Sequence, residues 1–349
     1  MLDDVERRTQ LDPRGMFGIL SSLPEQLEEG LLLCADLRVE PPKEGRIVVI
    51  GMGGSAIAGD IGAAVAREGG YEVLVIRNSR LPSYIQADDL LIFISYSGDT
   101  WETLSSYQEA LKRGIPCLTI SSGGELQQIS DTRGTPHVAL PRGVGPPRGA
   151  LGYLLAPLIA ILALRLPALT KQMGRAIQFL GHRREGWAPA VPTTENEAKA
   201  MAWAIRDRTP IIYASPSFAG VAKRWQTQLN ENAKVLAWSS VLPEADHNEI
   251  VGWMEDSEAS RFAPIILVNT EDQALDTQII EAIALMEEKL TVQVVRPSPT
   301  EYLSQVLELI LLGDLVSLYL AVVRGVDPFP VEPIVRLKGA LSSRRGRPG

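Results

Sequence analysis

The feature that most constrains this chain is a unit in which a short apolar strand runs into glycines and then into a helix. Arg46–Ile50 (RIVVI) is β-branched; Gly51-Met52-Gly53-Gly54-Ser55-Ala56 follows at once, and the small residues of Ser55–Ala66 read as a helix. Branched side chains favour the pleated strand, while glycine permits the sharp reversal into the helix. Further strands are predicted at Glu72–Arg77 (EVLVIR), Leu90–Ser95 (LLIFIS) and Pro116–Ile120 (PCLTI), with helices over Thr100–Arg113 and Gly124–Ile129. A strand followed by a helix and another strand returns the chain to the same edge of the sheet. The expected product is a parallel sheet covered by helices on both faces.

The alternation weakens over Leu166–Pro192, where GWAPAVPTT reads as a linker, and then restarts. Helices are predicted near Glu195–Ile205, Val221–Asn232 and Leu275–Leu290, with strands at Pro210–Ala214, Val235–Trp238, Ala263–Asn269 and Thr291–Arg296 and a final helix pair. With 349 residues the chain can hold two α/β domains, each with its own core and each a three-layer αβα sandwich. The expected division is a helical N-terminal extension over 1–40, a first domain over 41–165, a helical connection over 166–198, a second domain over 199–342 and a disordered tail over 343–349.

A net charge of −8 argues against non-specific contact with nucleic acid or an anionic membrane. An anionic ligand would need local amides, hydroxyls and a few placed arginines. Cys34 and Cys117 make no disulfide framework, and the charged N-terminus lacks the apolar stretch of a signal peptide, so a reducing cytoplasm is expected. Two apolar runs, Gly149–Leu166 and Leu303–Val323, approach membrane-spanning length, but Pro157 interrupts the first and the second carries Glu308 and Asp314. Buried helices are the expected reading.

Three turns carry candidate ligand groups. The first, containing Gly53, Gly54 and Ser55, suits an anion held by helix N-terminal amides. It also fits the dinucleotide pattern GxGxxA, although Arg77 and Asn78 stand where an acidic residue is expected. The second, Ser95-Tyr96-Ser97-Gly98-Asp99-Thr100, offers three hydroxyls at the mouth of the next helix. One hydroxyl would suffice as a helix cap, whereas a phosphate between two turns uses all three. The third, Ser121-Ser122-Gly123-Gly124, reads better as a helix cap.

Glu231, in an Asn-Glu-Asn-Ala-Lys run, and His247, in Asp-His-Asn-Glu, form a candidate acid–base pair. Arg148, at the mouth of an apolar helix, suits a developing oxyanion. His137 and His182 sit in unrelated contexts. No His, Cys and carboxylate cluster has metal-ligand spacing, so no metal is expected.

Taken in order, GMGGSAIAGD, SYSGDTWET, ISSGGEL, PRGALGY, the NENAK run and PEADHNEI resemble the bifunctional phosphoglucose/phosphomannose isomerases. These belong to the phosphoglucose isomerase superfamily and are built from two sugar-isomerase (SIS) domains. The resemblance runs from LPEQLEEG to VEPIVRLKGAL. It implies that Ser55, Ser95, Ser97 and Thr100 bind a sugar phosphate. It makes Glu231 the base that moves a proton between C1 and C2, and sets Arg148 beside a cis-enediolate. His247 would assist ring opening from the partner subunit of a homodimer, and Lys338 would approach the substrate ring. The implied reaction interconverts glucose 6-phosphate, and mannose 6-phosphate, with fructose 6-phosphate and needs no cofactor.

Two positions depart from the family pattern. Asp99 stands where asparagine is usual, and its carboxylate is expected to point away from a phosphate. Phe329, in Asp327-Pro328-Phe329-Pro330, replaces a threonine linked to accepting both C2 epimers, which implies a weaker claim on mannose 6-phosphate. Two alternatives share parts of the pattern. A non-catalytic SIS sensor of sugar phosphates would keep the hydroxyls without needing Glu231, His247 and Arg148 together. An NADP-dependent oxidoreductase would use the glycine turn alone.

Overall fold

The computed structural model describes residues 1–42, 44–268 and 273–345. Three helices open the chain: α1 (Val5–Leu11), α2 (Met16–Ser21) and α3 (Leu23–Leu32). The first α/β unit follows as β1 (Ile47–Gly51), α4 (Gly53–Glu68), β2 (Val73–Ile76), β3 (Leu90–Ile94), α5 (Trp101–Arg113), β4 (Cys117–Ser121), α6 (Gly124–Arg133) and β5 (His137–Ala139). Helices α7 (Leu151–Ala163), α8 (Ala168–Arg183) and α9 (Glu197–Ile205) lead to the second unit. That unit holds β6 (Thr209–Ala214), α10 (Ala219–Asn232), β7 (Trp238–Val241), α11 (Glu249–Glu255), β8 (Phe262–Leu267), α12 (Gln273–Glu287) and β9 (Gln293–Val295). Helices α13 (Tyr302–Arg324) and α14 (Glu332–Arg345) close the chain.

Both sheets are parallel throughout. The first has the order β2-β1-β3-β4-β5 and the second β7-β6-β8-β9. In each, the chain leaves its first strand to one side and then crosses to the other. This creates a topological switch point, between β1 and β3 in the first sheet and between β6 and β8 in the second. Ligands of open α/β sheets bind at the carboxyl ends of strands flanking such a point.

The pleat divides the apolar residues. Ile47 and Val49 of β1 and Leu90, Ile92 and Ile94 of β3 face one core, while Val48, Ile50, Leu91 and Phe93 face another under α5 and α6. In the second sheet Ala263, Ile265 and Leu267 face inward, and Ile266 and Val268 face a third core that includes α11 and α12 residues. The expectation of a separate core for each domain is corrected here. The inner faces of both sheets share one continuous core, filled by residues of α4, α7, α8, α9, α10 and α13. Helix α13 is mostly apolar because it is covered all round: it is long enough to cross a membrane, yet 94% of its most apolar window is buried inside the fold.

Local differences from the sequence reading have physical causes. β7 begins at Trp238 rather than Val235, because the preceding residues complete the exit from α10: Lys234 takes a left-handed backbone and the Ala237 amide donates to Asn230. β5, three residues at the sheet edge, is too short to show a period. The stretch expected as a disordered tail from 343 is helical as far as Arg345, and 346–349 lie outside the described residues.

Candidate active site

Register sets the phosphate-type turns side by side. Ile50 pairs with Phe93 and Gly51 with Ile94, so the turns leaving β1 and β3 flank the switch point of the first sheet. The Tyr96 amide donates to Ser55 Oγ at 3.4 Å and ties the two turns together. Within the second turn, Ser95 Oγ donates to Thr100 Oγ1 at 3.0 Å and accepts from the Gly98 amide at 3.2 Å, while Ser97 Oγ accepts from the Asp99 amide at 3.2 Å. Gly98 has φ +76°, and a Cβ there would lie 1.8 Å from the Gly123 carbonyl oxygen, so only glycine fits. Gly53, exposed and with φ +52°, opens α4.

Asp99 turns outward. Its Oδ1 accepts the Glu125 amide at 2.9 Å, capping α6 instead of facing an anion between the turns. The hydroxyls of the third turn are spent locally: Ser121 Oγ donates to the Gly123 carbonyl and Ser122 Oγ to the Tyr96 carbonyl. That turn buttresses the second one. Arg77, at the end of β2, pairs with Asp60 on α4.

The second unit meets these turns through antiparallel helices. A Cβ on Gly220, at the start of α10, would touch Asp60 midway along α4, whereas Gly54 at the start of α4 lies against Pro147 and Arg148. Arg148 sits in a short 3₁₀ turn over Pro147–Gly149 and is only 5% exposed. Its Nε donates to Asn232 Oδ1 at 2.7 Å, its Nη1 lies 3.3 Å from Glu231 Oε2, and its Nη2 donates to the Pro328 and Phe329 carbonyls at 2.8 and 2.9 Å. Burial pulls the guanidinium pKa down, opposed by the Glu231 charge. A planar fork with five donors suits such a junction. Thus Glu231, its side chain 29% exposed, pairs with Arg148, and Arg148 lies against Gly54 in the turn that is tied to the Ser95–Thr100 turn through Ser55.

Behind them runs a buried polar chain that the sequence reading did not identify. Arg224 donates to the Arg148 carbonyl at 3.0 Å and to Asp314 at 2.5 Å; Gln228 donates to Asp314 at 2.8 Å, and Asn232 to Ser317 at 2.9 Å. Burial pushes the Asp314 carboxyl up and the Arg224 charge opposes it. An acid in the middle of an apolar helix was the available signal: it needs a partner when buried.

His247 and Lys338 are not at this junction. α10 spans 14 residues, or about 20 Å, and carries the chain back from the carboxyl edge of the second sheet, leaving Glu231 at the amino edge. β7 then runs forward parallel to β6, so His247, exposed in the 3₁₀ turn Glu244–His247, stands beyond the carboxyl edge. Lys338 lies on α14, whose side chains from Glu332 to Leu341 are all exposed. His137 is occupied in the first sheet, its Nδ1 2.8 Å from Thr119 Oγ1, and burial draws its pKa down.

Comparison with known proteins agrees with this fold. Residues 42–135 match the SIS domain model and residues 194–341 match that of the bacterial phospho-glucose isomerase C-terminal SIS domain. A bifunctional phosphoglucose/phosphomannose isomerase of Caldicellulosiruptor bescii is 34% identical over 94% of this chain and 99% of its own length. One from Aquifex aeolicus is 31% identical over 84% and 90%. Among solved structures, a hypothetical protein from Thermus thermophilus superposes with a TM-score of 0.75 over 97% of this chain and 94% of its own, at 18% identity. Two SIS-type units, linked where Arg148 pairs with Glu231 and lies against Gly54, thus have relatives along almost their whole length: the chain belongs to the bifunctional phosphoglucose/phosphomannose isomerase family.

Proposed function

We propose that this chain interconverts glucose 6-phosphate, and mannose 6-phosphate, with fructose 6-phosphate. The observation that carries the reading is Arg148, whose guanidinium reaches Glu231 of the second unit while its backbone lies against Gly54 in the glycine turn of the first. A sensor of sugar phosphates needs the turns but not a carboxylate–guanidinium pair facing them. An oxidoreductase reading rests on the glycine turn alone, without the acidic residue expected after β2, where Arg77 is engaged with Asp60.

In this reading the phosphate sits at the switch point of the first sheet, on Ser55, Ser95, Ser97, Thr100 and the amides opening α4. Its binding energy orients the far end of the sugar. Glu231 takes the proton alpha to the carbonyl and returns it to the neighbouring carbon. Arg148 stabilises the negative charge that develops on the enediolate oxygens. Each of these contributions is worth about 10²–10⁴-fold in typical enzymes.

Ring opening needs a further acid–base group, and the candidate, His247, stands away from Glu231 within one subunit. We infer that His247 is supplied by a second copy in a homodimer, as is consistent with its place on the opposite edge of the sheet. Helix α14 supports the same arrangement: Ile334, Val335 and Leu337 are 39%, 64% and 61% exposed, a surface that a second copy would cover and that would carry Lys338 toward a neighbouring site. Two half-buried free thiols, Cys34 and Cys117, suit a reducing cytoplasm.

The direct test is Glu231→Gln, which keeps size and polarity and removes the base. Turnover on both hexose 6-phosphates is expected to fall by about 10³-fold or more, with sugar-phosphate binding by calorimetry nearly intact. A variant that kept most of its isomerase rate would rule out Glu231 as the base.

A further inference from the structure

Among the described residues, Lys234 is the one non-glycine residue with a left-handed backbone, φ +56°. It stands just past the end of α10, at the position where glycine or asparagine ordinarily ends a helix because a Cβ there is crowded. A strained backbone at such a place is retained when the side chain has a task. The Lys234 ammonium has three N–H donors, and three carbonyls meet them: that of Glu231, that of Pro328 at 3.2 Å and that of Pro330 at 2.6 Å. One acceptor lies on the turn of α10 that carries Glu231. The other two lie on the segment whose Pro328 and Phe329 carbonyls also receive Arg148.

We propose that Lys234 is a positioning residue for isomerisation: its ammonium fixes Glu231 and the Asp327–Pro330 wall at one mutual distance around Arg148. The proposal rests on the isomerase reading above. Without the ammonium, Arg148 is, among the described residues, the side chain whose hydrogen bonds still join the end of α10 to this wall. Arg324, which donates to the Ala233 carbonyl at 3.0 Å, holds the helix end from outside. A base displaced by a fraction of an ångström loses rate without losing ligand.

The ammonium is also poised to titrate. Lys234 is exposed, yet partial desolvation of its ammonium, followed by the Arg148 charge, draws its pKa from the ordinary lysine value to about 8; Asp327 and Glu231 raise it, and Arg14 lowers it further. The clamp is therefore complete below pH 8 and is lost as the pH rises through that value, when the amine can no longer donate to all three carbonyls.

Lys234→Gly separates the two roles, because glycine relieves the backbone strain while deleting the ammonium. The expected result is a melting temperature equal to or above that of the parent, with kcat on glucose 6-phosphate lower by about 10-fold or more and KM within about threefold. The parent should show an alkaline fall in kcat near pH 8 that is absent in Lys234→Gly and displaced upward in Lys234→Arg, which keeps its charge. A Lys234→Gly variant with parental kcat, or one sharing the parent's alkaline limb, would overturn the proposal. A parent without isomerase activity would instead overturn the functional reading on which it rests.

Discussion

The two sheets follow one topological plan, yet their switch points are built for different work. At the first, glycines with positive φ open α4 and shape the turn before α5, and three hydroxyls line the gap. At the second, β6 ends in Ser215-Pro216-Ser217-Phe218, where Pro216–Phe218 form a 3₁₀ turn. Ser215 Oγ lies 2.7 Å from Ser217 Oγ, Tyr302 donates to the Ser217 carbonyl, and the Phe218 ring stacks on Tyr302 with centroids 5.7 Å apart. Proline removes one amide donor and the aromatic pair covers the turn, so this point is packed rather than left open to an anion. The fold supplies a place for a ligand twice, and the turn residues decide where it is used. In our reading the second unit contributes chemistry instead: Glu231 from its amino edge to its own site and His247 from its carboxyl edge to a neighbour's.

That division predicts a large effect on mixing two inactive variants. Glu231→Gln and His247→Gln should each lose about two to four orders of magnitude in turnover. In a homodimer that shares His247, a mixed dimer of the two holds one intact site. After subunit exchange at equal concentration, about a quarter of the parental activity should return. Mixtures that stay as inactive as their components would place His247 and Glu231 in independent roles and break the proposed sharing.

A smaller effect tests the switch points directly. Gly98→Ala forces a Cβ against the Gly123 carbonyl and strains a backbone at φ +76°. KM for glucose 6-phosphate should rise by about 10²-fold, the scale of a misplaced binding group. Ser215→Ala, at the corresponding place in the second sheet, should cost about 1 kcal/mol of stability for its hydrogen bond and leave KM within about threefold. Similar KM changes in both would mean that the substrate reaches both crevices.

Much of the fold is legible in the sequence. The strands showed because buried parallel strands are β-branched throughout, and the turns showed because only glycine and hydroxyls make such turns useful. The outward turn of Asp99 followed from charge repulsion alone. What the sequence concealed depends on contacts between residues far apart in the chain. Nothing local to Asn232 or Lys234 marks them as partners of Arg148 and of the Pro328–Pro330 carbonyls. The single shared core was hidden for the same reason: α13 reads as apolar on every face, and periodicity cannot say which two sheets those faces meet. The distance between Glu231 and His247 was likewise set by the direction of α10 and not by the number of residues between them.

The smallest expected effect concerns the wall that closes the catalytic side of the crevice. Phe329 is held on two sides: its carbonyl accepts from Arg148, and its ring lies beneath the Arg14 guanidinium, 4.0 Å from the centroid, while Arg14 also pairs with Asp327 at 3.1 Å. Phe329→Thr keeps the backbone carbonyl, deletes the ring and adds a hydroxyl beside the site. The Arg14 stacking lost is worth about 0.5–1 kcal/mol, so a slightly lower melting temperature is expected. The informative quantity is the ratio of kcat/KM for mannose 6-phosphate to that for glucose 6-phosphate. The two substrates differ at one stereocentre, and a pocket contact of this size discriminates by about 10-fold, so the ratio should rise by up to that factor. An unchanged ratio would show that the wall is held for the benefit of Glu231 and Arg148, which neither epimer can evade, and not to distinguish one epimer from the other.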